Sequence, residues 1–111
     1  MLIITDAISL EQLRPLLGTF FNLVKAVVDV DREILAVDAD MHSDLEKLLL
    51  DDGSRQENLW GINLYPDQQG EDMVEFDSMI NIRPTHGNRS RGVDSEDTRK
   101  QILNVVHKRI K

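Results

Sequence analysis

The chain has 111 residues, 13 basic and 20 acidic side chains, a formal net charge of −7 and no cysteine. The missing thiols exclude a disulfide scaffold, a cysteine nucleophile, thiolate zinc sites and cysteine-ligated clusters. The length fits one domain over residues 1–111, large enough for a core without staples. No apolar run approaches the roughly 20 residues of a membrane span and no signal peptide is visible, so the expectation is a soluble cytoplasmic protein.

In chain order, Met1–Ile4 reads as a short strand or extended lead-in. Ser9 with Gln12 three residues on fits a capping box, and Leu10, Leu13, Leu17 and Phe20 or Phe21 continue at helical spacing. Pro15 predicts a kink or break in that helix, and its end falls near Gly18. Val24–Val30 and Ile34–Ala39 read as two strands around a turn at Asp31–Arg32, without the favoured Asn-Gly pair of a tight hairpin. Ser43 and Glu46 form a second capping box. The helix they predict runs over 43–52, with Leu45, Leu48 and Leu49 on its apolar face and Gly53 as its stop. Leu59–Tyr65 alternates as a strand with Trp60, Ile62 and Leu64 on one face. Met73–Arg83 reads as its hairpin partner, with a bulge or bend at Ser78–Met79 where the alternation slips. Asp94 or Ser95 caps a last helix whose stripe is Ile102, Val105 or Val106, and Ile110. The predicted fold class is α+β: an antiparallel sheet of two β-hairpins packed against three helices in the order α-β-β-α-β-β-α, with a short N-terminal strand. The helices are expected on one side of the sheet, leaving the other open to a ligand or a second subunit.

The charge is divided along the chain. Residues 1–82 carry 5 basic and 17 acidic side chains, whereas residues 83–111 carry 8 basic and 3 acidic. A basic segment beside an acidic body either pairs with it internally or binds an external anion. The overall acidity argues against broad binding to duplex DNA, which relies on phosphate neutralisation.

The boundary between the two charge regimes falls at the loop Arg83–Gly92. Glycines that let amides converge, arginine forks and the start of a helix are what an anion site uses. Arg83, Asn88, Arg89, Ser90 and Arg91 are therefore the candidate anion-binding residues. The spacing matches neither a Walker loop nor a dinucleotide fingerprint. Pairing of these arginines with the chain's own carboxylates is the competing reading. Upstream, Asn63, Tyr65, Glu75, Asp77, Asn81 and Arg83 share the polar parity of the second hairpin. Glu75 and Asp77, two residues apart on a strand, are candidates for general-base work or Mg²⁺ binding, and equally for an ordinary solvated face. His86, among the arginines, is the candidate acid/base alternative. Asp38, Asp40 and His42 point one way in an extended chain and form a weaker metal-ligand pattern. His107 suits the end of its helix, Trp60 shares its face with core residues, and Tyr65 is more open.

The run Asp52–Pro66 and the runs Phe76–Pro84 and Gly87–Val93 resemble a small conserved prokaryotic family of unknown function, familiar from cyanobacteria. The resemblance spans nearly the whole chain. It implies one cytoplasmic domain and carries no catalytic residues across. The residues themselves favour a small binding or regulatory module, homodimeric in one arrangement, for a phosphate-bearing small molecule or an RNA phosphate. The alternatives are an enzyme acting on a phosphate- or carboxylate-bearing substrate through Asp77 or Glu75, and a structural subunit of an assembly.

Overall fold

In the computed structural model, which describes residues 1–17 and 22–111, the alternating runs become five strands: β1 (Leu2–Ile4), β2 (Val24–Asp29), β3 (Ile34–Val37), β4 (Leu59–Leu64) and β5 (Val74–Glu75). The helices are α1 (Leu10–Leu13), α2 (His42–Asp51) and α3 (Glu96–Arg109). The strands form one antiparallel sheet in the order β1-β3-β2-β4-β5. This is the expected α+β architecture of two hairpins and three helices, with β1 added at one edge.

The helices lie on both faces of the sheet, not on one. Val24, Ala26 and Val28 of β2, with Ile62 and Leu64 of β4, join a core that includes Leu13 of α1 and Ile102, Val105 and Val106 of α3. Val27 of β2, Ile34 and Ala36 of β3 and Leu59 of β4 form a second core with Leu45 and Leu49 of α2. The first hairpin is therefore covered on both sides, and its strands read as near-continuous apolar runs rather than as an alternation. On that second face, positions 25 and 63 lie outside the apolar cluster under α2 and carry polar side chains.

Local chemistry explains most element boundaries. Ser9 and Gln12 make the reciprocal capping box, but the α-helix stops after one turn and continues as a 3₁₀ turn with Pro15 near its start. Phe20, Phe21 and the Gly18 terminus lie outside the described residues. The β2–β3 loop has four residues rather than a tight pair. The buried Asp29 at the end of β2 accepts from the amides of Asp31 and Arg32, and Glu33 takes a left-handed φ of 56°. Gly53, at φ 103°, ends α2 as expected. Ser95 caps α3 by accepting from the Thr98 amide, and His107, Lys108 and Arg109 fill its last turn.

Two expectations are corrected. The cap of α2 is Met41, whose side chain makes no capping bond, and Ser43 lies inside the helix. The imidazole of His42 donates from Nε2 to the Ile62 carbonyl at 2.8 Å, which ties the first turn down to the sheet. The predicted strand over Met73–Arg83 shrinks to Val74–Glu75, followed by 3₁₀ turns at Met79–Asn81 and Pro84–His86. Beyond β5, side chains take over the edge of β4. The Asn81 amide group accepts from the Gly61 N–H at 2.8 Å and donates to the Gly61 carbonyl at 2.9 Å, as a neighbouring strand would. Arg83 donates to the carbonyls of Gln56 and Leu59 and lies 4.4 Å over the Trp60 ring. The close approach requires glycine at 61, where a Cβ would sit 2.4 Å from that of Ser78.

Candidate functional site

The register of the sheet sets three polar side chains in one row. Lys25 of β2 is paired with Asn63 of β4, and Asn63 with Glu75 of β5. All three point to the α2 face, just past the start of that helix. A pocket of about 360 Å³ opens there, within the usual range for small-molecule sites. The row forms part of its lining, with Met41, His42 and Ser43 from the start of α2, and Asp77 and Arg91 from the segment after β5.

Each polar group is positioned by another. The Asn63 amide nitrogen donates to Glu75 Oε1 at 2.8 Å and to the Asp77 carbonyl at 3.4 Å. The Tyr65 hydroxyl donates to the same Glu75 oxygen at 3.0 Å, and burial together with that bond raises the Tyr65 pKa. Arg91 Nε donates to Asp77 Oδ1 at 2.7 Å. The backbone of Arg91 is held independently, since its carbonyl accepts from the Ser78 amide and the Asn81 side chain. Burial lowers the His42 pKa, and Lys25 adds to this, against the Ile62 carbonyl, Asp77 and Asn63. The imidazole is therefore neutral near pH 7. Its single proton is on Nε2, facing the Ile62 carbonyl, and Nδ1 carries the lone pair. Lys25 has no carboxylate within 4.0 Å among the described residues.

Of the residues singled out from the sequence, His42, Asn63, Glu75, Asp77 and Arg91 meet in this pocket. Arg83, Asn88, Arg89, Ser90 and His86 do not line it. The three arginines 83, 89 and 91 do not converge: Arg83 serves the edge of β4, and only Arg91 turns to the cleft. Within the loop, the donors face inward. Asn88 donates to the carbonyls of Asn81, Ser90 and Gly92, and its oxygen accepts from the Asp94 amide. The Asp94 carboxylate accepts from the Arg89 amide at 2.9 Å and the Ser90 hydroxyl at 2.6 Å, with the Ser90 bond the larger cause of its lowered pKa. The loop thus folds around an anion of its own. His86 is exposed on the neighbouring turn.

The other basic side chains of residues 83–111 are mostly committed as well. Arg99 donates to the Val93 and Asp94 carbonyls, Lys100 faces Glu96, and Lys108 and Arg109 both reach Glu33. Among the described residues, only the side chains of Arg89 and Lys111 lack such a partner in that segment. Arg91 and Lys108 thus pair with carboxylates of the acidic body, Lys100 with Glu96 of its own segment, and Arg83, Arg99 and Arg109 are held by backbone carbonyls.

A family model described as a protein of unknown function, DUF5674, matches residues 2–109. The chain belongs to that family. No curated protein and no solved structure matches it. Among the described residues, no group of three or more histidine, aspartate or glutamate side chains is placed to hold a metal ion, and no helix is long and apolar enough to cross a membrane. Asp38, Asp40 and His42 are not such a group: Asp38 takes a φ of 74° and His42 turns to the sheet. Sequence reasoning missed Lys25, Met41 and Met79. The available signal for Lys25 was a lone cation inside an apolar strand, Val24–Val30.

Proposed function

We propose that this protein is a small, single-domain ligand-binding module, and that its site is the pocket between the start of α2 and the polar row of the sheet. The ligand is a small molecule bearing an anionic group, which meets Lys25 and the guanidinium of Arg91. The observation that carries this reading is the convergence of Lys25, Asn63, Glu75 and Arg91 on one pocket from four separate stretches of chain. Lys25 is the cation available to a ligand there, and Arg91 keeps its Nη groups after bonding Asp77 through Nε. The internal pairing of the C-terminal cations favours a small anion over RNA.

An NMR titration with inorganic phosphate, a nucleotide, short RNA and Mg²⁺ tests the reading. Saturable shifts at the amides of Lys25, Ser43, Asn63 and Arg91 are expected from a small anion. Shifts confined to Gly87–Gly92 would move the site to the loop, and no shift at millimolar ligand would end the proposal.

A second reading, an enzyme acting on the same ligand class, is favoured by the neutral His42 imidazole, whose Nδ1 lone pair belongs to a side chain lining the same pocket as Glu75 and Asp77. It expects Asp77→Ala to abolish turnover while ligand is retained. Equal loss of both would leave the binding module alone.

A further inference from the structure

We infer that the pocket takes a zwitterion with an apolar side chain, in chemical class an α-amino acid; this inference rests on the pocket reading above and names its ligand. The row across the sheet has a cation at one end, an amide in the middle and a carboxylate at the other. Adjacent strands lie about 4.8 Å apart, so Lys25 and Glu75 are separated by about 10 Å at the backbone. No ion pair joins them. The Lys25 and Glu75 side chains can close on one small molecule that carries both charges, with its dipole aligned to the row.

The carboxylate end is marked by the start of α2. Sequences place Ser, Thr, Asp or Asn at a helix cap because their oxygens satisfy the first amides. Here the cap is Met41, without a side-chain bond, and Met41, His42 and Ser43 all line the pocket. The His42 and Ser43 amides have no acceptor among the described residues, and the helix end favours negative charge.

The ammonium end is marked by an orphaned acceptor. Asn63 is 6% exposed, and its amide nitrogen is committed to Glu75 and the Asp77 carbonyl. That fixes its orientation and leaves Oδ1 buried without a hydrogen-bond donor, an arrangement that native structures seldom leave unfilled. The neighbouring His42 ring spends its Nε2 proton on Ile62 and would supply a second donor to Asn63 only in its charged form, which burial disfavours. An ammonium group placed between Glu75 and Asn63 answers both the charge and the missing donor.

The apolar side chain is called for by the pocket's rim. Met41 and Met79 both line the pocket and are 58% and 65% exposed, among the most exposed large hydrophobic residues of the chain. Thioether side chains adapt to ligands of varied shape, and Leu23 and Ile80 extend the apolar surface.

The test is a set of NMR titrations with L-leucine, isocaproate (the same skeleton without the ammonium), isoamylamine (without the carboxylate) and inorganic phosphate. L-leucine is expected to shift the amides of Lys25, Ser43, Asn63 and Glu75 saturably. Isocaproate and isoamylamine are expected to bind about tenfold or more weakly, as loss of a charged hydrogen bond predicts. Glu75→Gln keeps the bonds to Asn63 and Tyr65, and is expected to weaken L-leucine by about the same factor without weakening isocaproate. Equal binding of isocaproate and L-leucine, or equal weakening of both by Glu75→Gln, would overturn the inference. Pocket shifts with phosphate but none with L-leucine would overturn it while sparing the anion-site reading. No shift with any of the four probes would overturn both.

Discussion

The first hairpin and the segment from Phe76 to Asp94 are built by opposite means. The strands β2 and β3 are held by apolar burial on both faces, between α2 on one side and α1 with α3 on the other. The later segment has little regular secondary structure, yet Ser78, Asn81 and Asn88 within it are 1%, 0% and 3% exposed. Its interior is made of amide side chains bonded to backbone: Asn81 to Gly61 and Arg91, Asn88 to Asn81, Ser90 and Gly92. Burial of apolar surface tolerates substitution by other apolar residues of similar volume. A polar scaffold does not, because each amide serves particular backbone groups in a fixed geometry. The pocket lies where the two constructions meet.

The largest expected effects set one construction against the other. Leu49→Ala, in the core under α2, should destabilise by about 2–5 kcal/mol. Asn81→Ala should cost about 3 kcal/mol or more, because it strands the Gly61 amide and carbonyl and takes one of two donors from the Arg91 carbonyl. Chemical denaturation measures both. A cost for Asn81→Ala under about 1 kcal/mol would remove the polar scaffold from the comparison. Next, Gly61→Ala should cost about 1–3 kcal/mol through its clash with Ser78. Adding Ser78→Gly should recover part of that loss in the same experiment, and additivity of the two losses would show that the contact is not the cause.

Arg83→Lys tests the edge of β4. A lysine keeps the charge but loses the fork to two carbonyls and the planar contact with Trp60, for about 1 kcal/mol. A thermal melt detects it, and an unchanged midpoint would make Arg83 a surface residue only. His42 introduces a pH dependence. Its pKa is below the ordinary 6.5 in the folded chain, so just below that pH the unfolded chain binds more protons. Stability is therefore full above 6.5, falls as pH drops through it toward the folded value, and returns on raising the pH. His42→Gln should flatten that part of the stability profile, and a profile unchanged by the substitution would refute the assignment. The smallest effect is that of Arg91→Ala, whose pair with Asp77 is half-exposed: stability within about 0.5 kcal/mol of the parent, with weakened anion binding. A large loss of stability would make Arg91 part of the scaffold rather than of the site.

Much of the fold was legible from particular residues. The Ser9–Gln12 box, Gly53, the Ser95 cap and the stripe Ile102, Val105 and Val106 all form as their local chemistry dictates, whereas Ile110 is buried just past the helix in a bridge to Ile8. Those signals depend on neighbours within a turn of helix. The strand expected over Met73–Arg83 was not legible as a set of turns, since Val74, Phe76, Ile80 and Ile82 do keep strand parity. The decision came from Gly61, some 20 residues away, whose bare Cα lets Ser78 and the Asn81 side chain close on β4. The cap of α2 moved for a similar reason: the His42 bond to Ile62 outweighs the Ser43–Glu46 box. In the candidate site, Glu75, Asp77 and Arg91 stood out by charge and parity. Lys25 and Met41 did not, because their part in the pocket depends on which strands become neighbours.

Length, the absence of thiols, the order of helices and hairpins and the divided charge belong to the sequence alone, because composition and short-range periodicity determine them. Only the tertiary structure decided that helices cover both faces of the sheet, that the arginine loop closes on its own Asp94, and that Lys25, Asn63 and Glu75 stand in a row. Those outcomes depend on strand register and on contacts between distant residues, and a one-residue slip would turn the row to the opposite face.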